Sequence, residues 1–109
     1  MEATAKKAQM DYVTIKDAAK ILKVVNHKLR IKILALLDEG KQLMVTDIQV
    51  KLRLTQSVTS LHLSILREAN IVTAERKSKA MYYSLNYGRI SDIQTIVAKF
   101  AIVIQPSAN

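Results

Sequence analysis

The chain has 109 residues, of which 50% are hydrophobic and mostly aliphatic. Only two are Gly and one is Pro, so a mainly helical single domain is favoured over a turn-rich β architecture. It has no cysteine, which excludes disulfides and thiolate metal sites, and no apolar run of about 20 residues that could span a membrane. A net charge of +8 is typical of proteins that bind nucleic acid or an anionic membrane, although a merely basic soluble surface gives the same excess.

The N-terminal part of the chain predicts a flexible tail followed by a helix. Residues 1–12 are small and polar without periodicity, and they lack the apolar core of a signal peptide, so a cytoplasmic protein without a membrane partner is expected. Thr14 is a suitable N-cap for the helix that follows. Its apolar residues recur at helical spacing: Ile15, Ala18, Ala19, Leu22 and Val25.

Two more helices are predicted before the middle of the chain. Asn26 is expected to cap a helix from His27 to about Asp38, and Gly40 stands where a C-cap glycine belongs. Gln42 to Val45 is predicted to be a short extended segment. The capping-box pattern Thr46-Asp47-Ile48-Gln49 then predicts a short helix through Arg53.

The next helix, capped by Thr55, follows so closely that the pair predicts a helix-turn-helix. At 3.6 residues per turn it separates into two faces. The inner face comprises Val58, Thr59, His62, Ile65, Leu66 and Ala69. The outer face carries short hydroxyls, an amide and one Arg, namely Gln56, Ser57, Ser60, Ser64 and Arg67. Such side chains fit a DNA major groove and can hydrogen-bond to bases or phosphates, so this is the predicted recognition helix.

Beyond Asn70 the period changes from 3.6 to 2. Ile71 to Arg76 and Ala80 to Leu85 are predicted strands, joined by Lys77-Ser78-Lys79 without the Gly or Asn that a tight hairpin prefers. A basic hairpin after a recognition helix is typical of the wing of a winged helix. The alternative is a solvated turn whose lysines contact nothing.

Ser91-Asp92-Ile93-Gln94 is a further capping box, predicting a last helix to about Ile104. Its apolar stripe is too broad for the surface of a lone small domain, so the helix is either central to the core or paired with a second subunit. Pairing is favoured, with residues 91–104 as the dimerisation helix and the first helix contributing. The expected contacts are Ile15, Ala18, Leu22, Ile93, Ile96, Val97, Phe100, Ala101 and Ile104.

Three segments carry a family resemblance: Leu22 to Leu34, Thr55 to Val72, and Met81 to Leu85. Together they are similar to the second helix, the recognition helix with the first wing strand, and the second wing strand of the ArsR/SmtB-type winged-helix repressors. The resemblance implies a mainly α fold with a small β-hairpin, a winged helix-turn-helix that dimerises through its terminal helices and represses transcription by occupying operator DNA.

The chain departs from this family at its metal sites. Many members release DNA when metal binds to a Cys-x-Cys-Asp segment, which here reads Met44-Val45-Thr46-Asp47, or to Asp and His pairs along the last helix. Asp92 is present in that helix, but His and Glu are not. The sequence therefore predicts no metal, no cofactor and an unidentified effector. Lys28 replaces a common Pro, and Leu61 occupies a position that is often Arg, His or Gln.

The resulting prediction is a DNA-binding regulator, a homodimer on double-stranded DNA. Gln56, Ser57 and Ser60 would contact bases, while Leu61 would either pack against the preceding helix or touch a thymine methyl. The phosphate contacts would be Lys51, Arg53, Arg67, Arg76, Lys77 and Lys79, with Thr55 and Ser64 completing the surface. The alternative is a winged helix that binds another protein. Catalysis is not expected, because no Gly-rich loop or Ser-His-Asp arrangement is present and His62 fits a core hydrogen bond.

Overall fold

The computed structural model describes residues 12–104, with the side chains of residue 14 and residues 100–104 excepted. In chain order the elements are α1 (Tyr12–Val25), α2 (Lys28–Gly40), β1 (Leu43–Met44), α3 (Val45–Leu52), α4 (Gln56–Glu68), β2 (Val72–Lys77), β3 (Ala80–Leu85) and α5 (Tyr87–Ile104). This order confirms the mainly helical winged helix-turn-helix. The predicted tail lies outside the described residues except for Tyr12, which is already helical.

The three strands form one antiparallel sheet in the order β1-β3-β2. Lys77 pairs with Ala80, so the hairpin turn consists of only two residues, and Ser78 takes a positive φ of 56° there. The predicted extended piece before α3 becomes the third strand, where Leu43 lies opposite Tyr83. It is shorter than expected, since Val45 already begins α3.

The core lies between the helix-turn-helix, α2 and the base of the wing. Its fully buried apolar side chains come from four elements and the loop before β2: Ile33, Leu37, Ile48, Leu63, Leu66, Ile71 and Val72. At about 25 cal/mol per Å² of apolar surface, burying each of these residues contributes roughly 1.5–3 kcal/mol to folding. On the other side, α1 and α5 pack against each other.

Three helices in the first half of the chain begin at residues other than those expected. α2 is capped by His27 rather than Asn26, because the imidazole Nδ1 accepts a 3.1 Å hydrogen bond from the backbone N–H of Leu29. α1 already includes Thr14 in its helical backbone, so the cap predicted there is wrong. The box predicted at Thr46 is displaced, since the Asp47 carboxylate accepts from the N–H of Met44 at 2.9 Å.

The last helix starts earlier than its capping box suggests. Asn86 caps it, with its side-chain Oδ1 accepting from the N–H of Arg89 at 3.1 Å. Ser91, the expected cap, lies inside the helix, where its carbonyl accepts a 3.2 Å hydrogen bond from the Thr95 hydroxyl. α5 therefore begins after Asn86, whose side chain accepts from one of the free N–H groups of the first turn.

At the end of α2 the glycine prediction also fails. Gly40 is the last helical residue, and Lys41 takes the positive φ of 71° instead. A Cβ at Gly40 would lie 3.0 Å from the Leu43 side chain, so this glycine permits close packing rather than a turn. Nearby, the Tyr87 hydroxyl donates to Asp38 at 2.6 Å and, with the Lys41 cation, holds the pKa of that carboxyl below its ordinary value. The contact joins the end of α2 to the start of α5.

Within residues 12–104, no helix is both long and apolar enough to cross a membrane.

Candidate nucleic-acid interface

A three-residue turn joins α3 to α4 and fixes the direction of the second helix. Arg53 is left-handed, with φ 57° and ψ 49°, and the N–H of Leu54 donates to the carbonyl of Gln49 at 2.9 Å. Thr55 caps α4, as predicted, because its hydroxyl oxygen accepts from the N–H of Val58 at 3.2 Å. The two helices therefore form the expected helix-turn-helix.

The inner face of α4 is packed into the protein. Thr59, His62 and Leu66 are buried, as the helical spacing predicted, and the Thr59 hydroxyl donates to the Thr55 carbonyl at 2.8 Å. Leu63 is also buried, with 1% of its surface exposed, although the two-face prediction left it out. Its spacing of four from Thr59 and three from Leu66 was the available signal.

The outer face of α4 is exposed and matches the predicted reading surface. The predicted residues Gln56, Ser57, Ser60, Leu61, Ser64 and Arg67 are exposed, with the Thr55 cap beside them. Glu68, which the two-face prediction left out, is exposed as well. Leu61 has 57% of its surface exposed, so it does not lie in the core. A contact between this face and DNA stays a prediction.

The predicted phosphate contacts lie in three places, and all are exposed. Lys51 and Arg53 lie at the end of α3, Arg67 lies in the last turn of α4, and Arg76, Lys77 and Lys79 lie on the wing. Lys77 has a second role, because its ammonium donates to the Gln42 side chain at 2.9 Å. That hydrogen bond joins the wing to the connection between α2 and β1, so Lys77 helps to orient the hairpin.

Arg30 fixes the middle of α4, a role that the sequence analysis missed. Its Nη1 donates to the Val24 carbonyl at the end of α1 at 2.9 Å, and its Nε donates to His62 Nδ1 at 3.2 Å. The His27 ring lies 4.6 Å from the His62 ring, centroid to centroid. One guanidinium thus connects α1, α2 and the recognition helix.

Burial lowers the pKa of His62, and the charges of His27 and Arg30 lower it further. His62 is only 7% exposed and accepts a hydrogen bond from a cation, so the neutral ring fits this place. Protonation at Nδ1 would remove the acceptor and place a second positive charge beside Arg30.

This arrangement predicts a loss of stability in mild acid. Because the pKa of His62 is lower in the folded state than its ordinary value of 6.5, the unfolded chain binds more protons below that pH. The free energy of unfolding should therefore fall as pH drops below 6.5, with a slope of at most about 1.4 kcal/mol per pH unit from this residue.

Urea unfolding of the wild type and of His62→Asn at several pH values measures this effect. Asn keeps an acceptor near the position of Nδ1 but does not titrate. The difference between the two proteins should change with pH below 6.5 and be constant above it. Parallel pH profiles would contradict the assignment.

The end of α4 is fixed to α5. Asn70 is left-handed at φ 63°, and the N–H of Ile71 donates to the Leu66 carbonyl at 3.0 Å, which forms a Schellman ending. From α5, Arg89 Nε donates to the Ala69 carbonyl at 3.3 Å. The Asn86 side chain donates to the carbonyl of Asn70 at 3.0 Å. The recognition helix is therefore held at its start, middle and end.

The predicted dimer contacts fall into three groups. Ile15 and Leu22 are each 36% exposed, and the α5 residues Ile93, Ile96 and Val97 are half-buried. Ala18 is fully buried within its own chain, so it has no surface for a partner and its assignment as a direct contact is wrong. The side chains of Phe100, Ala101 and Ile104 lie outside the described part of the structure.

Within the described part of the chain, no three His, Asp or Glu side chains come together in a way that could hold a metal ion. Asp47 is the one residue that the segment Met44 to Asp47 shares with the family's Cys-x-Cys-Asp pattern, and its carboxylate accepts a hydrogen bond from the N–H of Met44.

Comparisons with known proteins agree with this architecture. Residues 27–74 match the family described as bacterial regulatory protein, arsR family. The chain is 34% identical to the transcriptional repressor PagR of Bacillus anthracis, over 78% of this chain and 85% of that protein. It is 31% identical to the biofilm growth-associated repressor of Agrobacterium fabrum, over 85% of this chain and 77% of the other.

The fold also matches solved structures. The crystal structure of PagR aligns with a TM-score of 0.67 at 33% identity, covering 80% of this chain and 99% of its own. That of NolR from Sinorhizobium fredii aligns with a TM-score of 0.64 at 26% identity, covering 88% of this chain and 95% of its own.

Proposed function

The chain belongs to the ArsR family of bacterial regulatory proteins, and we propose that it is a sequence-specific DNA-binding transcriptional repressor that occupies operator DNA as a homodimer. It acts by binding rather than by catalysis, in the cytoplasm where a regulator meets its DNA. Two of the relatives named above, PagR and the biofilm growth-associated repressor, are repressors, which supports this function.

One observation carries the proposal: over most of its length the exposed face of α4 presents hydroxyls and an amide, whereas an ordinary surface helix carries Lys and Glu. The exposed charges of α4, Arg67 and Glu68, lie at its C-terminal end. A helix of this kind enters the major groove with its N-terminal residues toward the base edges. Gln56 is placed in the first turn, where its amide can bind the N6 and N7 of adenine as a pair. Ser57, Ser60 and Ser64 add single hydrogen bonds to bases or phosphates.

The basic residues around this face bind the DNA backbone. Arg53 precedes α4 and Arg67 lies in its last turn, while the wing carries Arg76, Lys77 and Lys79. Phosphate contacts fix the register of the protein on DNA without reading sequence. Two recognition helices, one per protomer, would enter major grooves about 34 Å apart, which predicts an operator with two-fold symmetry.

We expect Gln56→Ala to relax the base preference at one position of each half-site. A lost bidentate contact costs roughly 1–3 kcal/mol of discrimination per base pair. The measurement is fluorescence anisotropy on an operator duplex, obtained by selecting bound genomic fragments, and on a scrambled duplex of the same composition.

Gln94→Ala is the matched control, because Gln94 is an exposed amide on α5 rather than α4. It should bind both duplexes like the wild type. Equal losses of Gln56→Ala on operator and scrambled DNA would show that Gln56 serves only the backbone. A wild type that binds the two duplexes equally would contradict sequence-specific binding and favour a protein-interaction role.

The proposed dimer predicts a sedimenting species of twice the 12.2 kDa chain mass. Leu22→Lys places a charge on the exposed side of α1, so it should shift the equilibrium toward monomer without unfolding the chain. Analytical ultracentrifugation with circular dichroism checks both points. A wild-type monomer at working concentrations would rule out this assembly.

A further inference from the structure

Leu61 is the apolar exception on the exposed face of α4. It is 57% exposed, whereas the other exposed residues of this helix are polar or charged. At about 100° per residue, Leu61 lies roughly 40° from Ser57 and 60° from Ser64 around the helix axis. Its side chain therefore stands beside the hydroxyls of the proposed reading face, toward one edge of it.

An exposed leucine on a free surface is ordinary and needs no explanation. On the outer face of α4, however, Leu61 would not stay in water, because a helix that enters the major groove loses the water around its outer face. An apolar side chain covered in this way is stabilised by an apolar partner. Among the groups that base pairs present in the major groove, the C5 methyl of thymine is the apolar one.

The other base edges would be poor neighbours for this side chain. The amino group of cytosine or the O6 of guanine would lose water against leucine without gaining a hydrogen bond. Such unpaired polar groups are penalised when buried, so leucine favours thymine and disfavours a G·C pair at the same position.

We propose that Leu61 is a specificity-determining residue that selects thymine in each half-site through its C5 methyl group. This inference rests on the proposed function, since it requires α4 to enter the major groove. Leu61 would then add an apolar contact to the hydrogen bonds proposed for Gln56, Ser57 and Ser60.

Replacing operator thymines by uracil, one symmetric pair at a time, tests the proposal. Uracil keeps every hydrogen-bonding group of thymine and removes only the methyl. At one thymine per half-site the wild type should bind about fourfold more weakly per methyl lost, the equivalent of one buried CH₂ group. Leu61→Ala should bind the thymine operator more weakly and no longer distinguish thymine from uracil at that position.

Val50→Ala is the matched control, because Val50 is an aliphatic residue of α3 with 74% of its surface exposed. It should keep the wild-type ratio of affinities for thymine and uracil. The proposal is overturned if no thymine shows the effect, or if Leu61→Ala retains the full uracil penalty while preferring operator over scrambled DNA. If the wild type has no preference for operator over scrambled DNA, the proposed function fails, and this inference with it.

Discussion

Raising the salt concentration from 50 to 200 mM should weaken operator binding by about a thousandfold or more, with a log–log slope of roughly −0.9 for each phosphate neutralised. Six cations per protomer surround the proposed reading face and all are exposed: Lys51, Arg53, Arg67, Arg76, Lys77 and Lys79. Binding them to phosphates releases the counterions of the DNA, and this release is opposed by added salt. Titrations by fluorescence anisotropy at several salt concentrations measure the slope.

Variants of the wing test which residues cause the salt dependence. Replacing Arg76 and Lys79 by Gln should reduce the steepness of the slope by about two for each protomer bound, and it should weaken operator and scrambled DNA alike. Lys99→Gln on α5 removes one exposed charge from the helix proposed for dimerisation, so its slope should equal that of the wild type. A wild-type affinity that hardly changes with salt would contradict phosphate binding by these residues.

Leu66→Ala should lower the free energy of unfolding by about 2–5 kcal/mol. Leu66 has none of its surface exposed and packs in the cluster that includes Leu37 and Ile48. Truncation removes its apolar contacts and leaves a cavity that close-packed neighbours fill only in part. A domain of this size is stable by only about 5–15 kcal/mol, so the variant should also have a much lower melting temperature.

The same helix provides the control for this substitution. Leu61→Ala makes the same chemical change at a side chain that is 57% exposed, and its stability should stay within about 0.5 kcal/mol of the wild type. Urea unfolding followed by circular dichroism compares the two variants. Equal effects on stability would contradict the placement of Leu66 on a buried face of α4 and Leu61 on an exposed one.

Features set by neighbouring residues could be predicted from the sequence. The Thr55 cap and most of the inner face of α4 depend on spacing within one helix, and the structure confirms both. The hairpin followed from its change of period. The type of the wing turn could not be predicted, because its positive-φ position is taken by Ser78, and serine has no particular preference for that conformation.

Features set by distant contacts could not be predicted in this way. α3 begins at Val45 because the residue before it belongs to a strand paired with β3, and local spacing does not reveal that pairing. Arg30 looked like an ordinary surface cation, yet its partners lie on α1 and α4. Asn86 is a common N-cap residue and could have been found, but the capping box at Ser91 offered a stronger local pattern.

Four residues in the described range 12–104 other than glycine have a positive φ at the junctions between elements: Lys41, Arg53, Asn70 and Ser78. Both glycines of the chain lie elsewhere in negative-φ positions. A side chain at such a position destabilises the fold by about 1 kcal/mol, less for Asn. Replacing one of these residues by glycine should therefore remove this strain and raise the melting temperature. At Arg53 a glycine would remove a proposed phosphate contact, whereas at Ser78 it would raise thermal tolerance without removing a charge.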